Sequence, residues 1–446
     1  MKKSKHVILW TICVAVVLML AACGNAEDTT GEINNKATIY ITTPYIEQHV
    51  MGFHEETFTI EQALYDLDYL LNVLENNFAL FDVAYWARGV DIHALAENAR
   101  REIETSQNIS IGIFYNILRN NFASLVPIGH FFIHPSTHIH NSVHEDAIWL
   151  EDVQALTAYL NLNLAHSNVE DFLLLSNQQH AFVITDILEE GKIAYLAMPD
   201  FLPSSYRGVT VGFNVSYYEE VIFSFYEQIR DFEHLIIDLR GNRGGFAWYF
   251  FSMVIRPNIP ETIRTDGFIF FIEGSYHFPR NLVSTYAGIY SVRPASDLTT
   301  AAEILENFHL PDFNMNDLQR LDRGLPAQVI MQPRRLVRFD HQPAFNGQIW
   351  LLTDGRMASA SQLVATFVQE SEFAILVGGI TGGVYGGERI ERRPLPHSGV
   401  RIDYDLFYVT DSRGRPLEAG TIPHHFNRPG MDALETALAL IAEGEY

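Results

Sequence analysis

Four short apolar runs set the strongest limit on this fold: KIAYLAMPDF from Lys192, HLIIDLRGN from His234, GQIWLLTD from Gly347 and FAILVGG from Phe373. A strand with one wet face alternates apolar and polar residues, whereas continuous runs of this length point to strands buried on both faces. The helical patterns between them, YYEEVIFSFYEQIRDF and SASQLVATFVQESE, read as crossovers, so an α/β layer is predicted. The stretch from Arg256 to Phe345 is punctuated by Pro and Arg and resists the same reading, apart from a helical pattern in TTAAEILENF.

Upstream the texture differs. From Thr57 to Leu125 apolar residues recur at helical spacing, predicting three or more amphipathic helices, with Thr59 and Asp91 as caps. The implied organisation is a helical N-terminal domain over 56–127 and a core domain over 128–446.

The first 55 residues have another purpose. Lys2, Lys3 and Lys5 precede an apolar run from Val7 to Leu20, the pattern of an export signal, and the run is shorter than the roughly 20 residues of a spanning helix. Leu20-Ala21-Ala22-Cys23 resembles a bacterial lipobox, which implies a lipoprotein signal peptide over 1–22, lipidation of Cys23 and a tether over 23–55. Cys13 would leave with the signal, so no thiol would remain for catalysis, a disulfide or a thiolate metal site. The formal net charge is -24, and becomes -27 once the three leader lysines are removed, leaving 27 Lys+Arg against 54 Asp+Glu. So acidic a body argues against nucleic acid, and against docking on anionic lipid through its own surface. The expected location is the extracytoplasmic face of the cell membrane, held by the lipid alone.

Two turns carry the chemistry. In TDGRMASASQ, Ser359 follows a predicted strand and turn and opens a helix, where a hydroxyl is exposed and backbone N–H groups point at the same spot. The plainer reading is a helix-capping serine. In LIIDLRGNRGG, Leu235 to Gly245, a buried strand ends in glycines that let backbone N–H groups approach a ligand closely, as an oxyanion hole requires.

Taken in order, KIAYLAMPDF, IIDLRGNRGG, TDGRMASASQLVA and PLEAGTIPHHFNRPGMDALETAL resemble the C-terminal processing (tail-specific) family of serine peptidases, in its tricorn-like branch. The resemblance runs from Glu56 to Glu443 and implies an α/β fold with a crotonase-like/ClpP-like ββα core beside an N-terminal helical domain; no PDZ domain is apparent between His144 and Gln179. One branch of that family activates its serine with a lysine about 25 residues on, and here that place falls at Val384. Lys192 is the last lysine in the chain, so a histidine must serve as base. The resemblance assigns that role to His130 in LVPIGHFFIHP, although Val126-Pro127-Ile128 and Phe131 depart from the family's usual residues. It also implies Glu418 as the carboxylate that orients His130, and the backbone amides of Gly244, with Gly245 as neighbour, and Ala360 as oxyanion donors. Ser361 reads as local helix chemistry, and Arg243, where the family has Gly or Ser, as a solvent-facing cation or a contact to a substrate carboxylate.

The expected activity is therefore hydrolysis of peptide bonds in a peptide or protein substrate by a Ser-His-Glu mechanism that calls for no cofactor and no metal. Two rivals stand beside it. One is a catalytically reduced peptide-binding lipoprotein on the same fold. The other is a metal site on His130, His134, His138, His140 and His144, against which Pro135 breaks any i, i+4 helical pair and no HExxH pattern occurs.

Overall fold

The computed structural model describes residues 58–134, 183–201, 215–272, 290–292, 298–385 and 390–445. The export signal, Cys23, the tether, His138, His140 and the whole stretch from His144 to Gln179, where no PDZ domain is apparent in sequence, lie outside the described residues.

Four helices open the described chain. α1 (Ile60–Asn77) starts at Thr59, whose hydroxyl accepts from the Gln62 N–H while the Gln62 side chain accepts from the Thr59 N–H. α2 (Phe81–Arg88) stops at Gly89, a left-handed residue with φ 69°. α3 (Ile92–Thr105) is capped by Asp91 and α4 (Ile111–Asn121) by Ser110, each accepting from a backbone N–H three residues on. Ala63, Leu67, Leu70 and Leu74 bury one stripe of α1, the 3.6-residue pattern that gave the helix away.

Beyond the helices the chain forms β1 (Phe132–His134). The hairpin β2 (Ile184–Glu189) and β3 (Ile193–Ala197) leads to α5 (Val215–Gln228), β4 (His234–Asp238) and α6 (Ala247–Phe250), which runs on through a π-helical turn at Phe251–Ile255. The stretch that was hard to read contains β5 (Ile263–Phe271), β6 (Tyr290–Val292), β7 (Thr299–Thr300), α7 (Ala301–Asn307) and β8 (Arg323–Met331). β9 (Gln348–Thr353), α8 (Ala360–Glu370) and β10 (Ile375–Gly378) follow, then β11 (Ile390–Pro394), β12 (Arg401–Asp405), β13 (Phe407–Thr410), β14 (His425–Phe426) and α9 (Ala433–Glu443).

The four runs that read as buried strands become β3, β4, β9 and β10 of a six-stranded sheet ordered β14-β10-β9-β4-β3-β2, parallel except at the β2–β3 hairpin. Alternate residues of these strands serve different cores. Leu235, Ile237, Ile349 and Leu351 face α5, α6 and α8 in the largest one. Ile236, Trp350, Leu352 and Val377 meet Ala433, Ala437, Leu440 and Ile441 of α9 on the other side. Every residue of β4 is buried, which is why its sequence shows no polar alternation.

A second core joins α1–α4 to two antiparallel sheets, one of three strands, β1-β12-β11, and one in the order β13-β5-β8-β6. Phe78, Phe114, Phe122 and Phe131 pack there with Tyr404 of β12 and Tyr408 of β13. Burial of such large side chains contributes roughly 1.5–3 kcal/mol each, so the helical segment and these sheets stabilise one another. Among the described residues no helix is long and apolar enough to cross a membrane.

Candidate active site

Parallel strands deliver their following loops to one end of a sheet, and α/β proteins bind ligands outside those carboxyl ends. Here the loops after β4, β9 and β10 converge around Ser359. The residue stands just before α8 with φ 57° and ψ -123°, a backbone conformation that side chains other than glycine rarely adopt. Such a residue costs about 1–3 kcal/mol and persists only where the surroundings hold it.

Those surroundings are visible. The Ser359 N–H donates to Gly383 O at 3.1 Å, and Val384 beside it also has positive φ, 54°. Ser361 Oγ donates to Asn242 O at 2.6 Å and accepts from the Ala358 N–H at 2.9 Å, tying the turn after β9 to the turn after β4. Ala358 N–H also reaches Asn242 O, at 3.2 Å. Gly244 completes the contact. A Cβ at this position would lie 2.7 Å from both Ala358 O and the Ala360 nitrogen and 2.9 Å from Ser359 Cβ, and φ is +97°. Only glycine lets the two turns press together this closely.

His130 reaches the same point from the other core. Its Nε2 lies 2.8 Å from Ser359 Oγ, across 229 residues of chain. The residue precedes β1, which pairs antiparallel with β12 in the register Phe132↔Asp403, so stepping back along the ribbon sets His130 opposite Asp405. Asp405 takes three contacts from it: ring Nδ1 lies 2.9 Å from Oδ2 and 3.0 Å from Oδ1, and the His130 N–H donates to Oδ2 at 2.9 Å. Gly129 makes room, since a Cβ there would stand 2.8 Å from Asp405 Oδ2, and φ is +53°. Asp405 is fully buried, while the His130 side chain is 14 % exposed.

The carboxylate hydrogen-bonded to the imidazole is thus Asp405 and not the expected Glu418. Glu418 sits in the short helical turn Leu417–Ala419, fully buried, and its Oε2 accepts from the Tyr385 N–H at 2.9 Å; no hydrogen bond joins it to His130 among the described residues. The reason is register: β12 runs directly beside the His130 segment, whereas the turn bearing Glu418 lies against the backbone of Gly383. Burial pushes Glu418 up to about 7, opposed by hydrogen bonds from the backbone of Tyr385 and Gly129. His130 feels burial as the largest single influence, which lowers it; Asp405, through charge and hydrogen bond, with Glu418 and Asp403 behind it, overcomes this and leaves the imidazole above its ordinary value.

The expected amide donors also separate. The Gly244 N–H donates to Asn242 Oδ1 at 2.7 Å, so it is already engaged. The Gly245 and Ala360 N–H groups donate to no acceptor among the described residues, and Ala360 is the first residue of α8, where the helix itself supplies no partner. Ala360 follows Ser359 directly, and Gly245 follows the glycine packed against Ser359 Cβ, so these two amides are the ones left to meet a carbonyl oxygen there.

Other sequence candidates have different partners. Lys192 lies before β3, at the end of the parallel strands away from these loops, and pairs with Glu189 at 3.4 Å. His134 pairs with Asp403 at 3.2 Å. Asp405 is the residue that reading the sequence missed. Its segment, RIDYD, alternates like a strand with one wet face, and only in the structure are Asp403 and Asp405 seen to be buried.

A serine held in a strained turn, with an imidazole on its hydroxyl and a buried carboxylate on the imidazole, is the arrangement that acyl transfer needs. Known proteins agree at the level of family and fold. No curated protein sequence matches. Among solved structures, a candidate peptidase from Parabacteroides merdae ATCC 43184 is 16% identical, with a TM-score of 0.50 over 85% of this chain and 96% of that one. Mature CPAF in complex with lactacystin is 13% identical, with a TM-score of 0.51 over 86% of this chain and 98% of that one. The family model Peptidase family S41 matches residues 192–426, more than half of the chain. This protein therefore belongs to peptidase family S41, a family of C-terminal processing peptidases, and has a serine peptidase fold.

Proposed function

We propose that the protein is a lipid-anchored, extracytoplasmic serine endopeptidase working through Ser359, His130 and Asp405. The single observation that carries this is the chain of contacts from Ser359 Oγ to His130 Nε2 at 2.8 Å and from Nδ1 to Asp405 at 2.9 Å. With its proton on Nδ1, donated to Asp405, the neutral ring presents a lone pair at Nε2 to the serine hydroxyl. As Ser359 Oγ attacks the peptide carbonyl, its hydroxyl proton passes to Nε2 while the Nδ1 proton stays with Asp405, and the Gly245 and Ala360 amides take the oxyanion. His130 then protonates the departing amine, and a water deprotonated by the same nitrogen releases the acyl group.

A fluorophosphonate probe tests the nucleophile. The wild type is expected to be labelled and Ser359→Ala is not; label retained in Ser359→Ala sinks the assignment. A second reading, a peptide-binding protein with little turnover, draws on the Gly244 N–H being engaged by Asn242. No labelling of the wild type, with peptide still bound, selects it.

The anchor rests on Leu20-Ala21-Ala22-Cys23. A protein that Cys23→Ala releases from the membrane fraction carries the lipid there. Equal retention of both forms removes the anchor from the account.

A further inference from the structure

Three arginines stand around the carboxyl ends of β4 and β9, and two of them are neutralised. Arg240 pairs with Asp238 at 2.7 Å and with Asp432 at 2.9 Å. Arg356 pairs with Asp354 at 2.8 Å. Arg243 is exposed and makes no hydrogen bond, ion pair or ring contact among the described residues. In a chain with 54 acidic residues against 30 Lys+Arg, carboxylates to pair with it are abundant, yet none of those among the described residues does so.

Its position gives that vacancy a direction. Arg243 is joined to Gly244, the residue pressed against Ser359 Cβ, so its backbone is one peptide from the nucleophile's own contact. Gly245, Phe246 and Trp248 after it are exposed too, Phe246 to 55 % and Trp248 to 42 %. The strip therefore presents, in order, an exposed guanidinium and an amide that have no partner among the described residues, then the exposed Phe246 and Trp248, the latter carrying Arg256 on its ring at 5.3 Å. It begins one residue before the glycine packed on Ser359. A peptide whose carbonyl oxygen meets the Gly245 and Ala360 amides must run past this strip.

We propose that Arg243 is a specificity-determining residue that pairs with a carboxylate of the bound peptide next to the scissile bond, selecting an acidic side chain there. The inference rests on the peptidase reading of the Ser359 site, whose substrate it narrows. A guanidinium offers a planar fork of donors that matches a carboxylate with two parallel hydrogen bonds. The acidic body repels such peptides only at long range, and salt screens that beyond about 8 Å. The local contact then decides between an acidic peptide and its amide twin.

Binding can be read without turnover. Ser359→Ala, alone and combined with Arg243→Gln or Arg243→Lys, is titrated at low salt with fluorescent amidated peptides that differ only in Glu or Gln beside a chosen cleavage bond. A third peptide carries Gln there and a free C-terminal carboxylate. The Glu peptide is expected to bind about tenfold more tightly than its Gln twin. That ratio collapses with Arg243→Gln, partly survives with Arg243→Lys and shrinks as salt is raised. Preference for the free C-terminus instead, also lost with Arg243→Gln, moves the carboxylate to the chain end while keeping Arg243 as its partner. A ratio untouched by Arg243→Gln, no preference at all, or no binding of any peptide overturns the inference. Absence of fluorophosphonate labelling in the wild type, with the binding ratio of the Ser359→Ala forms intact, removes only the proposed chemistry.

Discussion

Ser359 and His130 meet at one hydrogen bond but are held by unlike structures. The serine side is built from loops. Its strained turn is fixed by short polar links between neighbouring turns, Ser361 to Asn242 and Ser359 to Gly383, at the ends of strands buried on both faces. The histidine side is built from an antiparallel ribbon, in which β12 sets Asp405 against a residue 275 positions away. On the first side a small, local change displaces the nucleophile. On the second, the charge and tautomer of one ring depend on one buried carboxylate.

The largest expected effect breaks the ribbon side. Asp405→Asn keeps the shape but removes the charge that holds the Nδ1 proton, and should lower kcat by about 10⁴-fold, the scale for losing the right tautomer in such a site. Turnover within tenfold of wild type would show that Asp405 does not serve the histidine.

Next comes Glu418, the carboxyl that makes no hydrogen bond to His130 among the described residues. Glu418 is raised from 4.5 to about 7, so its contribution to stability is complete below its unfolded value and is lost as pH rises through about 7. At one pKa unit per 1.36 kcal/mol, that loss is at most about 3 kcal/mol. Thermal unfolding of wild type and Glu418→Gln should therefore shift in favour of the variant between pH 5 and pH 8. Parallel curves would contradict the buried, proton-retaining state.

The smallest effect probes the loop side. Ser361→Ala removes the link to Asn242 O and leaves that buried carbonyl with the Ala358 N–H alone, a loss of about 1–3 kcal/mol. Chemical denaturation measures it, and an unchanged midpoint would show that the two turns are held by packing instead.

The two sides differ also in how much of each the sequence discloses. β3, β4, β9 and β10 announce themselves because strands covered on both faces leave continuous apolar runs, and Ser359 because small residues and a glycine mark the turn before α8. Capping at Thr59 and Asp91 is local chemistry and equally readable. In RIDYD of β12, by contrast, polar and apolar residues alternate as in a half-wet strand, yet all five are buried. Nothing near Asp405 in sequence reveals that its neighbour is His130, because that adjacency exists only through the β1–β12 register. The amide of Gly244 is a similar case: the glycine turn is visible, but its capture by Asn242 Oδ1 is set by side-chain geometry. The strands β5 and β8 stayed hidden for a plainer reason, since Gly267, Gly324 and Pro326 interrupt their patterns where backbone and neighbouring side chains pack closely.

The rate of fluorophosphonate labelling of Ser359 as a function of pH, in wild type, Asp405→Asn and Glu418→Gln, tests the shared hydrogen bond most directly. His130 must be neutral to accept the serine proton and is held above its ordinary value of 6.5 mainly by Asp405 against the effect of burial. The wild-type rate should climb with pH through a midpoint above 6.5. Asp405→Asn should label far more slowly, with its midpoint moved down, while Glu418→Gln keeps the labelling rate close to wild type. Fast labelling in Asp405→Asn together with its loss in Glu418→Gln would return the orienting role to Glu418 and contradict the arrangement described.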